Sequence, residues 1–229
     1  MGFRFSLPSL AIAIGAGLAL SAAPAAHAQA ILISNLAQPS NSGGGDSFAS
    51  SGLVAQGFLT NNQVYRLGIV TLSLYADPAV GSNSPSAVTL SLFSNRVGQD
   101  RPDVKLLTLG TDTITGITPA NYAFFSTSNF ALSASTSYFL VASGTGNTVF
   151  NNTNAPNTNT LPGSVYALGS YGNSTDGGAT YTYTPRTDAG FGPYKFAIQS
   201  AAAPEPGDLA LLVAGIPVLG AVLARRRRA

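Results

Sequence analysis

Two short stretches decide the fold: "VTLSLY", Val70 to Tyr75, and "AVTLSLF", Ala87 to Phe93. In the first, Val70, Leu72 and Leu74 alternate with Thr71 and Ser73; in the second, Val88, Leu90 and Leu92 alternate with Thr89 and Ser91. A two-residue period gives a strand one apolar and one hydroxyl face, which suits an antiparallel sheet with one side wet. The same reading extends outward to "LVAQGF" from Leu53, "VKLLTL" from Val104, "YAFFS" from Tyr122, "TSYFLVAS" from Thr136, "SVYAL" from Ser164, "ATYTY" from Ala179 and "YKFAIQ" from Tyr194. No window of the body has the period of an amphipathic helix. Between the strands stand "NSGGGDS", "DPAVGSNSPS", "NNTNAPNTNTLPGS" and "GNSTDGG", whose Gly, Asn, Ser and Pro supply turns. Many short strands with such punctuation predict an all-β antiparallel sandwich of jelly-roll kind, with Asn147 to Pro162 as its longest loop.

The two ends of the chain read differently. Arg4, the run "LAIAIGAGLAL" and the small residues before "AHAQA" form a secretory signal peptide over residues 1–28, with Ala26 and Ala28 at the cleavage positions and Gln29 as the new terminus. Near the other end, Leu209 to Ala224 is a run of 16 residues without a charge. As a helix of ~1.5 Å per residue it reaches only ~24 Å, short of a ~30 Å hydrocarbon core. Pro217 would kink that helix. Arg225, Arg226, Arg227 and Arg228 follow it, and such a cluster prefers the cytoplasmic side of a membrane. The body, residues 29–203, is thus expected to be exported, with residues 204–229 holding it at the inner membrane.

Pro204-Glu205-Pro206, the apolar run and the arginine cluster together resemble the PEP-CTERM sorting signal of Gram-negative bacteria. The resemblance implies recognition by an exosortase, cleavage near the Pro-Glu-Pro, and delivery to the cell surface or to extracellular polysaccharide. A plain C-terminal membrane anchor is the alternative. A second resemblance lies in "VAQGF", "YRLGIVTLSLYA", "VTLSLFSN" and "FALSASTSYFLVASGTG", which are similar to the choice-of-anchor R domain, an exported β-rich domain. Its "AQ-x-F" strand matches Ala55 to Phe58, and its "T-x-Y" strand matches within Leu132 to Val141. This chain has Phe139 after Tyr138 where that family often has Trp. The resemblance implies no active-site residues.

Composition excludes several activities. The body carries six basic residues (Arg66, Arg96, Arg101, Lys105, Arg186, Lys195) against seven aspartates, so its charge is near −1 although the whole chain is +2. Scattered in this way, its cations offer no nucleic-acid face. His27 lies in the signal peptide, Glu205 in the sorting motif, and cysteine is absent, so the body has no His, Cys or Glu. Hydrolases of the Ser-His-Asp or Cys-His kind then lack their base, and zinc lacks its usual ligands. The body is not expected to be an enzyme or to hold a cofactor, and without disulfides it must rest on packing and hydrogen bonds.

Two weaker sites remain. Asp100 and Asp103 in "GQDRPDVK" could hold Ca²⁺, which takes six to eight oxygens, although a solvated turn neutralised by Arg101 and Lys105 is the simpler reading. Tyr181 and Tyr183 would share one face of an extended "YTYT" and could stack on sugar rings with Asp176 nearby, although packing serves tyrosine as well. The expected role is a surface or matrix component associated with exopolysaccharide; the alternatives are an adhesion or protein-interaction module and a simply anchored envelope protein.

Overall fold

The computed structural model of the chain describes residues 29–48, 51–77, 85–153, 165–184 and 193–201, and of residues 41–43, 183 and 184 the backbone only. The signal peptide and residues 204–229, with the expected C-terminal helix, lie outside the described residues. Among those described there is no helix, and the elements are β1 (Ile31–Ser34), β2 (Ser40–Phe48), β3 (Leu53–Leu59), β4 (Tyr65–Ala76), β5 (Ser86–Asn95), β6 (Pro102–Ile114), β7 (Ala120–Phe125), β8 (Ala131–Leu132), β9 (Ser137–Gly144), β10 (Thr148–Thr153), β11 (Ala167–Ser174), β12 (Thr182–Thr184) and β13 (Phe196–Ser200). They form two antiparallel sheets. One runs β1-β13-β4-β10-β2, with β7 and β8 also on β4; the other runs β12-β11-β3-β9-β5-β6.

The deciding alternation does what its period requires. Val70, Leu72 and Leu74 of β4 point into the space between the sheets, where they meet Val88, Leu90 and Leu92 of β5, Val54 and Phe58 of β3, and Phe196 and Ile198 of β13. All of these are fully buried, and each such side chain contributes roughly 1.5–3 kcal/mol of hydrophobic stabilisation. The architecture is therefore an antiparallel β-sandwich. β4 is its hub: along one edge it pairs with β13 at Leu67–Leu72 and with β10 at Leu74–Ala76, and along the other with β7 at Ile69–Leu74.

The structure corrects two expectations. "NSGGGDS" is not a turn: it lies within β2, which pairs with β10 from Thr148↔Phe48 to Asn151↔Gly45 and again at Thr153↔Ser40. Between those last two pairs β2 spends four residues where β10 spends one, so the strand bulges. Two positions here require glycine. A Cβ on Gly45 would fall on the Phe150 carbonyl, and Gly44, at φ +85°, lies against the Tyr75 hydroxyl of β4. The expected loop from Asn147 to Pro162 also begins too early. Thr148–Thr153 is strand β10, buried along its whole length, because it fills the gap between β4 and β2. Residues 154–164 lie outside the described residues.

Each sheet also buries something on its outer face. On the β3–β9–β5 sheet, Ala55, Phe139 and Val141 form a small second cluster under Leu53, Phe93 and Tyr181. On the other sheet the outer face is polar: Ser73 of β4, Asn151 and Thr153 of β10 and Lys195 beside β13 are all at most 9% exposed.

Candidate functional site

At one end of the sandwich the close of β2, the start of β10 and the close of β11 come together. Register places them there, since Phe48 pairs with Thr148, and Ser174 and Asn173 pair with Leu53 and Val54 at the start of β3. Between them opens a cleft of about 200 Å³ lined by Ser47, Phe48, Ser51, Gly52, Asn147 and Asn173–Thr175. The Phe48 ring belongs to the core and closes the floor. The walls carry hydroxyls and amides, and none of the described lining residues carries a charge.

One wall is stiffened by Asp176. Its Oδ1 accepts hydrogen bonds from Ser174 Oγ (2.8 Å) and the Thr180 amide (2.9 Å), and its Oδ2 accepts one from Thr180 Oγ1 (2.6 Å). The Gly178 amide donates to Ser174 Oγ (2.8 Å), and the Gly177 amide ties the loop to the Ser51 carbonyl (3.0 Å). Hydrogen bonds from Thr180, then from Ser174, favour the ionised carboxyl and draw its pKa from 3.8 down to about 2. Asp176 is thus an anion engaged by its own loop, and its chemistry here is to hold the wall.

Of the tyrosines, Tyr181 lies half-buried over Ala55, Phe139 and Val141, and burial followed by the Asp176 charge pushes its phenol up to about 12. Tyr183 pairs with Gly172 through its backbone. Tyr166 and Tyr171 belong to the main core: Tyr166 stacks on Phe58 (6.0 Å), Tyr171 meets Tyr194 edge-on (5.3 Å), and burial raises the Tyr166 phenol. Tyr166 and Tyr171 thus serve core packing.

Asp100, at φ 38°, accepts a hydrogen bond from Ser170 Oγ and so ties the β5–β6 turn to β11, while Asp103 is exposed on β6. Among the described residues no group of three or more His, Cys, Asp or Glu comes together to hold a metal ion. Pro204, Glu205, Pro206, Arg225–Arg228, Ala26 and Ala28 lie outside the described residues.

Hydropathy passed over a set of buried amides and one lysine. Gln56 of β3 accepts the Tyr194 amide at Oε1 (3.0 Å) and donates to the Gly57 carbonyl (2.9 Å), which joins the two sheets through the core. Asn35 donates to the Tyr194 carbonyl (2.7 Å) and accepts the Phe196 amide (2.6 Å). The Tyr194 hydroxyl donates to Asp46, its ring stacks on Phe150 (4.4 Å), and burial, then the Asp46 charge, raises its pKa well above the usual value. On the outer face, Ser40 Oγ accepts from both Lys195 Nζ (3.2 Å) and Asn151 Nδ2 (3.1 Å), and Asn151 Nδ2 also reaches Ser73 Oγ (3.2 Å). One signal in the sequence pointed here: in "YKFAIQ" the alternation that buries Tyr194 and Phe196 puts Lys195 on the opposite face of the same strand.

A scan of protein-family models finds no match to the chain, and a search of curated proteins finds no relative of it.

Proposed function

We propose that the chain is an exported, non-catalytic surface or matrix protein, sorted through a PEP-CTERM route and associated with exopolysaccharide. The observation that carries this reading is the order Pro204-Glu205-Pro206, uncharged Leu209–Ala224, Arg225–Arg228, in a chain with a cleavable export signal at its start. The signal peptide leaves after Ala28. The tail forms an apolar helix that holds the body at the inner membrane until an exosortase-type enzyme acts near the Pro-Glu-Pro, and the body reaches the surface. The body itself is a jelly-roll-like sandwich of the choice-of-anchor R kind.

Two features support a binding role over a chemical one. The body has no His, Cys or Glu to serve as base or soft ligand. Its cleft presents uncharged hydroxyls and amides, which pair with the hydroxyls of a glycan. At about 200 Å³ it falls below the ~300–1,000 Å³ of pockets for drug-sized ligands and accommodates a single sugar unit. The test is a host strain that lacks secreted polysaccharide: the protein should leave the surface for the medium. Undiminished surface retention in that strain would transfer the protein to the adhesion or anchored-envelope reading.

A further inference from the structure

Lys195 is at most 9% exposed, and among the described residues its one side-chain partner is the Ser40 hydroxyl. A near-buried cation is ordinarily paired, because the loss of hydration must be offset by a countercharge or by full hydrogen bonding. Among the described residues neither is present. The carboxylate on β2, Asp46, accepts from Tyr194, whose ring lies in the core between the sheets. Burial lowers the Lys195 pKa, which reports the same deficit.

A count of donors and acceptors sharpens the point. An ammonium has three protons, and one of them goes to Ser40 Oγ. Ser40 Oγ accepts a second bond from Asn151 Nδ2, and Ser73 Oγ accepts the other Asn151 proton, so among the described residues both hydroxyl protons are left over. Thr153, paired with Ser40 and on the same face, is 1% exposed, and its hydroxyl has no partner. Turning the Asn151 amide over would occupy the two serine protons and release its own two N–H groups, so the excess of donors survives either assignment. Ser40 is exposed, so the cluster opens to solvent.

We propose that Lys195, Ser40, Ser73, Asn151 and Thr153 form a site for one small oxyanion, the carboxylate or sulfate substituent of an acidic glycan. The anion supplies the missing acceptor and countercharge together; a charge-assisted bond to the ammonium is its strongest contact. The glycan as source rests on the polysaccharide reading above, whereas the oxyanion site rests on the donor count alone.

Calorimetric titration of the full chain at low ionic strength tests it, with a uronic acid, inorganic sulfate and a neutral hexose as probes. The two anions should bind at this site, and any binding of the hexose, for which the uncharged cleft is the expected place, should not change in the variants below. Lys195→Met should weaken anion binding by about tenfold or more while Lys105→Met, at an exposed lysine, leaves it unchanged. Because Lys195→Met could unfold the sheet, Thr153→Val provides a second readout: it should weaken binding several-fold yet raise the melting temperature of the ligand-free chain, since a buried unpaired hydroxyl is removed. No binding of either anion, equal loss in Lys105→Met, or unaltered binding in both Lys195→Met and Thr153→Val overturns the site. Sulfate binding without uronate binding supports the site and assigns it to a sulfate rather than a carboxylate substituent. If both anions bind but an acidic polysaccharide is not retained in a pull-down, the polysaccharide reading falls and the oxyanion site stands.

Discussion

Asp176 shows how a single carboxylate can tie a loop together. Its folded pKa of about 2 lies below the ordinary 3.8, so the ionised form stabilises the folded loop at any pH above about 4. That contribution fades as pH falls from about 4 through about 2. Asp176→Asn should therefore flatten the pH dependence of stability in that window and leave it unchanged near neutrality; urea midpoints measured between pH 2 and 7 check this. Gly45 makes a second residue-scale case, one of shape. Gly45→Ala sets a methyl against the Phe150 carbonyl and should cost about 1–3 kcal/mol as an overpacked site does, whereas Gly116→Ala, whose Cβ meets nothing closer than 3.7 Å, should be close to neutral. Equal urea midpoints for the two variants would mean that the β2 bulge relaxes freely.

At the scale of elements, what the sequence revealed depended on how each strand is buried. β4 and β5 bury alternate apolar side chains, and their period is plain in "VTLSLY" and "AVTLSLF". β10 is buried with Asn151, Asn152 and Thr153 as well as Val149 and Phe150, and the edge strand β2 carries three consecutive glycines, so neither stands out by hydropathy. The burial of β10 follows from its position between β4 and β2, which no local pattern encodes. The cleft was only partly legible: "GNSTDGG" marked the Asp176 wall, but the partners from β2 and β10 come from far along the chain. Gln56 has the same character, a polar residue in an apolar run whose reason is a distant backbone amide. Gln56→Leu preserves size but strips the Tyr194 N–H of its acceptor inside the core, and should destabilise by about 1–3 kcal/mol. Thermal unfolding measures the loss, and no loss would mean that water or another group takes over the amide.

For the whole molecule the decisive experiment concerns the two halves of the tail separately, since they are expected to fail in opposite ways. On the proposed sorting route the 16 uncharged residues from Leu209 to Ala224 would make a marginal span, whose passage the arginines after them would stop. Each arginine carried to the middle of hydrocarbon costs about 2.5–3.5 kcal/mol, and a cluster of them multiplies the barrier. Neutral residues at Arg225–Arg228 should therefore lower the amount of unprocessed chain held in the membrane fraction. On the proposed route Pro204 and Pro206 would act by geometry: proline fixes its own φ and disfavours helical conformation in the preceding residue, which would present an extended backbone to an enzyme at the membrane surface. Replacing Pro204-Glu205-Pro206 should then leave an uncleaved precursor that stays in the membrane. Immunoblots of membrane and medium fractions read both variants. A Pro-Glu-Pro variant shortened and released like the wild type would leave the tail as an ordinary anchor, because the extended motif would then have no part in processing.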